Sequence, residues 1–303
     1  MVEQLPQDVL ARLRALDPAV TPELAQASWA LLTPFHEKLG YTAPKIVRDL
    51  RYGEHPRHRL DVHAAGRPAG DGPDDQGAPV LVFVHGGGFV AGDKHSPGTP
   101  AYDLVGAWAV RHGWVGVNMT YRHAPEVQWP AGAQDVAAAV AWVRGNIAEY
   151  GGDPDRVIVA GNSAGATHVA DFAAGHGGDL TGVRGAALIS GLYGARTAEP
   201  GTPPHPYYGV PDPAQASLPC LVHSPVPLLF AVAECDPDRF HAAAAEAVAA
   251  WLTRHRAVPD LVWVDGHNHM SAVGSLGIDE PALGVPLARF IERHTQPGTR
   301  EGS

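Results

Sequence analysis

Five residues, Gly161-Asn162-Ser163-Ala164-Gly165, constrain this chain more than any other stretch. They follow the apolar run Val157-Ile158-Val159-Ala160 and precede a small-residue helical pattern through Ala170 and Ala173. A buried strand that enters such a pentapeptide and a helix that leaves it require a sharp, strained turn with the serine at its tip. Glycines on both sides remove side chains that would clash where strand and helix pass closely. Ser163 is therefore a candidate nucleophile. The plainer alternative is a Gly-rich turn with a solvent-facing serine.

A second segment favours the chemical reading. Pro79-Val80-Leu81-Val82-Phe83-Val84 reads as a fully buried strand and runs straight into His85-Gly86-Gly87-Gly88-Phe89. Three consecutive glycines lose much backbone entropy on folding, so something must require bare N–H groups in a tight loop. Acyl transfer has that requirement, because fixed backbone donors stabilise the negative charge of a tetrahedral intermediate without reorganising. Gly87 and Gly88, with the amide of Ala164 after the serine, are the candidate oxyanion-hole donors. A phosphate-cradling loop fits poorly: there is no G-x-G-x-x-G and no Lys-Ser/Thr pair after the glycines.

His85-Gly86-Gly87-Gly88, Tyr121-Arg122-His123-Ala124-Pro125-Glu126, Gly152-Asp153-Pro154 and the serine pentapeptide together resemble the hormone-sensitive-lipase-like carboxylesterases of the α/β-hydrolase superfamily. The resemblance runs from about Tyr52 to Arg293. His123 departs from it, standing where the family usually has Leu, which is expected to alter local packing and not chemistry. The resemblance implies a serine carboxylesterase that hydrolyses short- to medium-chain esters through an acyl-enzyme, with no cofactor. It also implies the chain order nucleophile, acid, histidine.

The acid follows the strand-like run Pro227 to Ala233, which ends in Glu234-Cys235-Asp236-Pro237. The resemblance assigns Asp236, because an Asp-Pro follows Ala-Glu-x in these esterases. Glu234, two residues back and so on the same face of an extended strand, is the runner-up. The histidine follows Leu261-Val262-Trp263-Val264 within Asp265-Gly266-His267-Asn268-His269-Met270. Laid on the family pattern without a gap, the strand puts His269 at the catalytic position. His267 is left as a loop residue that bonds backbone or lines the site. Neither histidine has the Gly-aromatic tail usual in the family. In such a triad the imidazole takes the serine proton and returns it, while the carboxylate fixes its tautomer.

The 303 residues are 45% hydrophobic and 18% charged, enough to bury a large core. The division expected is an N-terminal helical segment over 1–44, then a catalytic domain over 45–303 with a lid insertion at 191–225. A net charge of −10 argues against nucleic acid as a partner. The 17 histidines invite a metal reading, but no Cys/His cluster has zinc spacing, so no metal is expected. Two cysteines, Cys220 and Cys235, read as reduced thiols of a cytoplasmic protein, although sequence alone does not exclude a bridge. The N-terminus lacks the basic and apolar regions of a signal peptide, and no apolar run approaches the ~20 residues of a membrane span. The expected partner is a small-molecule ester. Relatives often pair through the last strand and helix, so the resemblance also raises a homodimer.

Strands are predicted at 45–51, 59–64, 80–84, 115–119, 157–160, 186–190, 228–233 and 261–264. The first two alternate like an antiparallel edge. The later ones are continuous apolar runs separated by helical patterns at 133–150 and 241–255. That alternation predicts an α/β fold, an eight-stranded, mostly parallel sheet with helices on both faces. Residues 5–39 show helical spacing broken by Pro18, Pro22 and Pro34, which reads as two or three short helices. These either contribute to a small cap, as in the resembling family, or decorate the surface. Trp29, Phe35, Phe89, Tyr193, Tyr207 and Tyr208 are the aromatics available to line a pocket under the lid.

Two other functions compete. The stretch Cys235 to Phe240 is also similar to the arylformamidases, which would keep the triad and change the substrate to an amide. A ligand-binding receptor on an inactive hydrolase fold is the other, although an intact Ser163, an Asp236 and two available histidines argue against it.

Overall fold

In the computed structural model, residues 4–66, 77–193, 205–209 and 217–296 are described. Two helices, α1 (Gln7–Arg14) and α2 (Pro22–Leu39), precede β1 (Lys45–Arg51), β2 (Arg59–Ala64) and β3 (Ala78–Val84). Then come α3 (Asp103–Arg111), β4 (Val115–Met119), α4 (Ala131–Asn146), β5 (Gly152–Asn162), α5 (Ala164–Ala173) and β6 (Val183–Ile189). Two short helices, α6 (His205–Tyr208) and α7 (Leu218–Leu221), lie before β7 (Leu228–Cys235) and α8 (Asp238–His255). The chain ends with β8 (Asp260–Asn268), α9 (Ser271–Gly274) and α10 (Val285–His294).

The eight strands form one sheet in the order β1-β2-β4-β3-β5-β6-β7-β8. Only β2 runs against its neighbours; from β4 to β8 every pairing is parallel. The continuous apolar runs follow from that burial, since both faces of the sheet are covered. Val80, Val82, Val157 and Val159 pack beneath α4, α5 and α8, while Leu81, Phe83, Ile158 and Ala160 pack beneath α3, α9 and α10. In the centre of the sheet Val84 lies in register with Gly161. The triglycine segment and the serine pentapeptide therefore leave the carboxyl ends of adjacent strands side by side.

Three local expectations differ from the structure. Pro34 does not break a helix: α2 runs through it, capped at its start by Thr21 Oγ1, which accepts from Leu24 N at 3.2 Å. A mid-helix proline deletes one backbone bond, but Leu32 and His36 on either side are fully buried, and that packing holds the helix. The fifth strand begins at Gly152, before the apolar run. The eighth continues past Val264 to Asn268, where Asn268 pairs with Cys235 beyond a register shift.

Candidate active site

Ser163 sits between β5 and α5 with φ 56° and ψ −123°, a left-handed backbone that an L-residue rarely adopts. The flanking glycines explain how the turn closes. A Cβ on Gly161 would come within 2.5 Å of the Gly165 carbonyl carbon, and one on Gly165 within 2.1 Å of Val84 O and 2.5 Å of His85 O. The serine N–H donates to Ile189 O at 2.9 Å, which ties the tip to β6.

Around this tip the predicted site residues come together. His269 Nε2 lies 2.8 Å from Ser163 Oγ, and His269 Nδ1 lies 2.6 Å from Asp236 Oδ1. The His269 and Asp236 side chains are fully buried, and the Phe240 ring packs against the imidazole at 4.3 Å. The second carboxylate oxygen of Asp236 accepts from Ala233 N–H at 2.8 Å and from Ser190 Oγ–H at 2.6 Å. Ser190, at the end of β6, went unnoticed in the sequence, where it is one serine after an apolar run.

Glu234 does not share the face of Asp236, because Asp236 lies beyond the end of β7 and the two-residue strand period no longer applies there. It accepts instead from Arg14 Nε at 2.9 Å and Gly266 N–H at 2.7 Å. His267 also turns elsewhere, with Nδ1 3.0 Å from Ser271 Oγ and Nε2 3.2 Å from Asp279 Oδ2.

The three candidate donors of the oxyanion hole have their directions fixed by the carbonyl before each. In a trans peptide the C=O and the following N–H point opposite ways. Gly86 O accepts from His85 Nδ1 at 2.6 Å, Gly87 O from Val90 and Ala91 N–H at 3.2 and 3.0 Å, and Ser163 O from Thr167 N–H at 3.1 Å. The N–H groups of Gly87, Gly88 and Ala164 are thereby turned outward, and among the described residues they meet no backbone acceptor. Gly87 has φ 143°, and a Cβ there would overlap Ala91 O at 1.9 Å. Burial pushes the His85 imidazole down to about 3, so the ring is neutral and keeps one N–H to donate. It stacks on Tyr121 at 4.4 Å, whose hydroxyl donates to His85 O at 3.1 Å.

The remaining motif residues are scaffolding. Arg122 forks onto the buried Asp135, whose Oδ2 also accepts the Arg122 N–H at 2.8 Å. His123 stands edge-on to Tyr121 and His85. Of the six aromatics, Phe89, Tyr207 and Tyr208 gather about Ala164, with Phe89 and Tyr207 stacked at 4.9 Å. Trp29 and Phe35 pack with α1 instead, and Tyr193 belongs to the main core. Of the 191–225 segment, residues 194–204 and 210–216 lie outside the described residues. Cys220 and Cys235 are both free thiols.

One cluster of metal-ligand type occurs among the described residues: Asp61, His63 and Asp103, with ligand atoms within 4.8 Å of one another. Protein cations already fill it. Arg48 bonds Asp61 and Asp103, each at 2.7 Å, and Lys94 Nζ lies 3.1 Å from Asp61. Burial pushes His63 down to about 4, so it adds no charge. The arrangement is an ion-pair network that joins β1, β2 and α3 to Lys94, eight residues or fewer beyond the glycine loop.

Known proteins resemble this chain over part of its sequence and in its fold. The BD-FAE family model matches residues 71–182. Esterase LipQ of Mycobacterium tuberculosis is 43% identical over 135 residues, 45% of this chain and 29% of LipQ. Carboxylesterase NlhH of the same organism is 49% identical over 89 residues, 29% of this chain and 26% of NlhH. The matched stretches thus span little more than a quarter of these relatives. The hyperthermophilic esterase from the archaeon Pyrobaculum calidifontis superimposes over 96% of this chain and 98% of its own, with a TM-score of 0.67 and 23% identity. The fold is that of the α/β-hydrolases. The carboxyl ends of its central strands carry both glycine-rich segments.

Proposed function

We propose that this α/β-hydrolase is a serine carboxylesterase acting on short- to medium-chain esters, with Ser163 as nucleophile, His269 as general base and Asp236 as its orienting acid. The observation that carries the reading is the hydrogen-bonded chain Ser163 Oγ, His269 Nε2, His269 Nδ1, Asp236 Oδ1, with steps of 2.8 and 2.6 Å. A hydroxyl is a weak nucleophile at neutral pH, so attack on an ester carbonyl needs proton transfer to Nε2. The buried carboxylate, already paired with Nδ1, stabilises the imidazolium as it forms. The N–H groups of Gly87, Gly88 and Ala164 take the developing oxyanion. His269 then protonates the leaving alcohol, and water repeats the sequence on the acyl-enzyme.

The described part of the 191–225 segment supports a lid role, because Tyr207 and Tyr208 of α6 rest on Phe89, the residue that follows the three glycines. The free thiols fit a cytoplasmic protein. Exposed Leu261 and Trp263 on the edge strand β8 fit a homodimer. No helix among the described residues is long and apolar enough to cross a membrane.

Turnover of p-nitrophenyl acetate, butyrate and octanoate by wild type and by Ser163→Ala tests the reading, with N-formylkynurenine as the amide arm. Loss of at least about 10³-fold in kcat on Ser163→Ala is expected. A folded wild type that turns over none of these substrates refutes it.

A further inference from the structure

Polar contacts tie the N-terminal helices to the segments around His269, namely the ends of β7 and β8 and the short α9. Leu10 and Arg14 of α1 lie against Gly266 of β8, and Arg14 reaches Glu234 and Asp265 at 2.9 and 3.2 Å. His36 of α2 donates from Nε2 to Gly274 O at 2.8 Å, its ring kept neutral because burial pushes it down to about 4. Between these contacts lies Asn268, the residue before the histidine, with its side chain fully buried.

Every polar atom of that side chain is engaged. Its Oδ1 accepts from the N–H groups of Met270 and Ser271 at 3.1 and 3.0 Å, closing a turn over His269. This is the turn an Asn side chain forms with backbone two and three residues on. Its Nδ2 donates to Leu13 O of α1 at 3.4 Å and to Ser28 Oγ of α2 at 3.1 Å. Ser28 is itself 1% exposed. One amide therefore grips the backbone that follows His269 with its oxygen and both N-terminal helices with its nitrogen.

We infer that Asn268 is a positioning residue for His269, and that α1 and α2 act through it as a brace for the general base. This rests on the reading of His269 as the base. A misplacement of about 1 Å in a catalytic group lowers the rate about 10²-fold, and the amide fixes the backbone from which the imidazole reaches both Ser163 and Asp236.

The test compares wild type, Ser163→Ala, Asn268→Ala, Asn268→Ser and Ser28→Ala on p-nitrophenyl butyrate, with a fluorophosphonate to count reactive serines. Val140→Ala, on the buried face of α4, serves as a control for lost stability alone. Asn268→Ala is expected to lower kcat about 10–100-fold with KM within about 2-fold, and to slow fluorophosphonate labelling in parallel. Asn268→Ser, whose hydroxyl can still accept from the turn, recovers part of the loss. Ser28→Ala, which leaves the turn intact and loosens only the tie to α2, lowers kcat about 3–10-fold and carries the test if Asn268→Ala does not fold. A kcat per labelled site within 2-fold of wild type in the Asn268 and Ser28 variants overturns this inference alone. So does an equal loss in Val140→Ala. A wild type with no turnover and no labelling at Ser163 overturns the esterase reading and this inference together.

Discussion

Replacing Gly165 by alanine sets two effects of opposite sign against each other. Gly165 is the second residue of α5, and alanine there should gain up to about 1 kcal/mol of helix propensity. The new Cβ, however, would stand 2.1 Å from Val84 O and 2.5 Å from His85 O, both backbone atoms of the central sheet and its glycine loop. Those contacts are about 1 Å too short, and no side chain can rotate away to relieve them. The start of α5 must retreat instead, at an overpacking cost of about 1–3 kcal/mol. The net expectation is a loss of stability of about 1–2 kcal/mol. Activity should fall further, because Ser163 precedes the helix and its 2.8 Å contact with His269 moves with it; about 10²-fold in kcat is expected. Gly145→Ala is the paired control: it lies in α4 with nothing within 4 Å of its would-be Cβ, so it should gain about 0.5–1 kcal/mol and keep full activity. Urea unfolding of both variants, with p-nitrophenyl butyrate turnover, reads the two quantities. A Gly165→Ala protein as stable as Gly145→Ala and as active as wild type would refute the steric account of the pentapeptide.

Ser190→Ala removes one donor from the buried Asp236 carboxylate, so stability should drop by about 1.5–3 kcal/mol and kcat by at least about 10-fold; an unchanged urea midpoint would show that the bond carries nothing. His36 is neutral in the fold, held down to about 4, while the unfolded chain binds its proton near pH 6.5. The unfolded state therefore takes up protons first as pH falls, and stability declines from about pH 6.5 towards 4. Between pH 7 and pH 5 this contributes about 2 kcal/mol of loss, which His36→Leu should remove from the difference between urea titrations at the two pH values; an unaltered difference would contradict the neutral ring. Arg48→Met takes the guanidinium from the buried Asp103 and leaves Asp61 with Lys94 alone, and should destabilise by about 3–5 kcal/mol, whereas Zn²⁺ or Mn²⁺ should leave the Tm of wild type unchanged. A rise of several degrees with either ion would mean that the acidic cluster accepts a metal.

The sheet was legible because strands buried on both faces leave continuous apolar runs, which located six of the eight, while alternation located the two at the antiparallel edge. Their ends were less so. Gly152 to Arg156 and Asp265 to Asn268 are polar or glycine-containing, yet the strands run through them to pairs at Gly152 and Asn268, since backbone pairing needs no apolar side chain. Ser163 and the glycines were visible because sterics restrict those positions to very few residue types. Asp236 and His269 were placed only through the family resemblance, for carboxylates and imidazoles near strand ends are chemically unremarkable until a distance joins them. Glu234 and His267 were the runners-up, and their partners Arg14 and Asp279 are set by tertiary packing that the sequence does not display. Ser190 and Asn268 left no signal, because each acts through side-chain hydrogen bonds whose partners the sequence does not specify.

The left-handed backbone at Ser163 has a consequence for selection. A side chain at φ 56°, ψ −123° holds of order 1–3 kcal/mol of conformational energy that glycine would not. Of the residues that could stand at the tip of the elbow, the one that folds best therefore cannot react. Passed through a screen for heat resistance alone, this chain would drift toward Ser163→Gly and emerge as a sturdier protein without a hydroxyl at the tip of the elbow. On the esterase proposal, serine at that position exchanges durability for turnover.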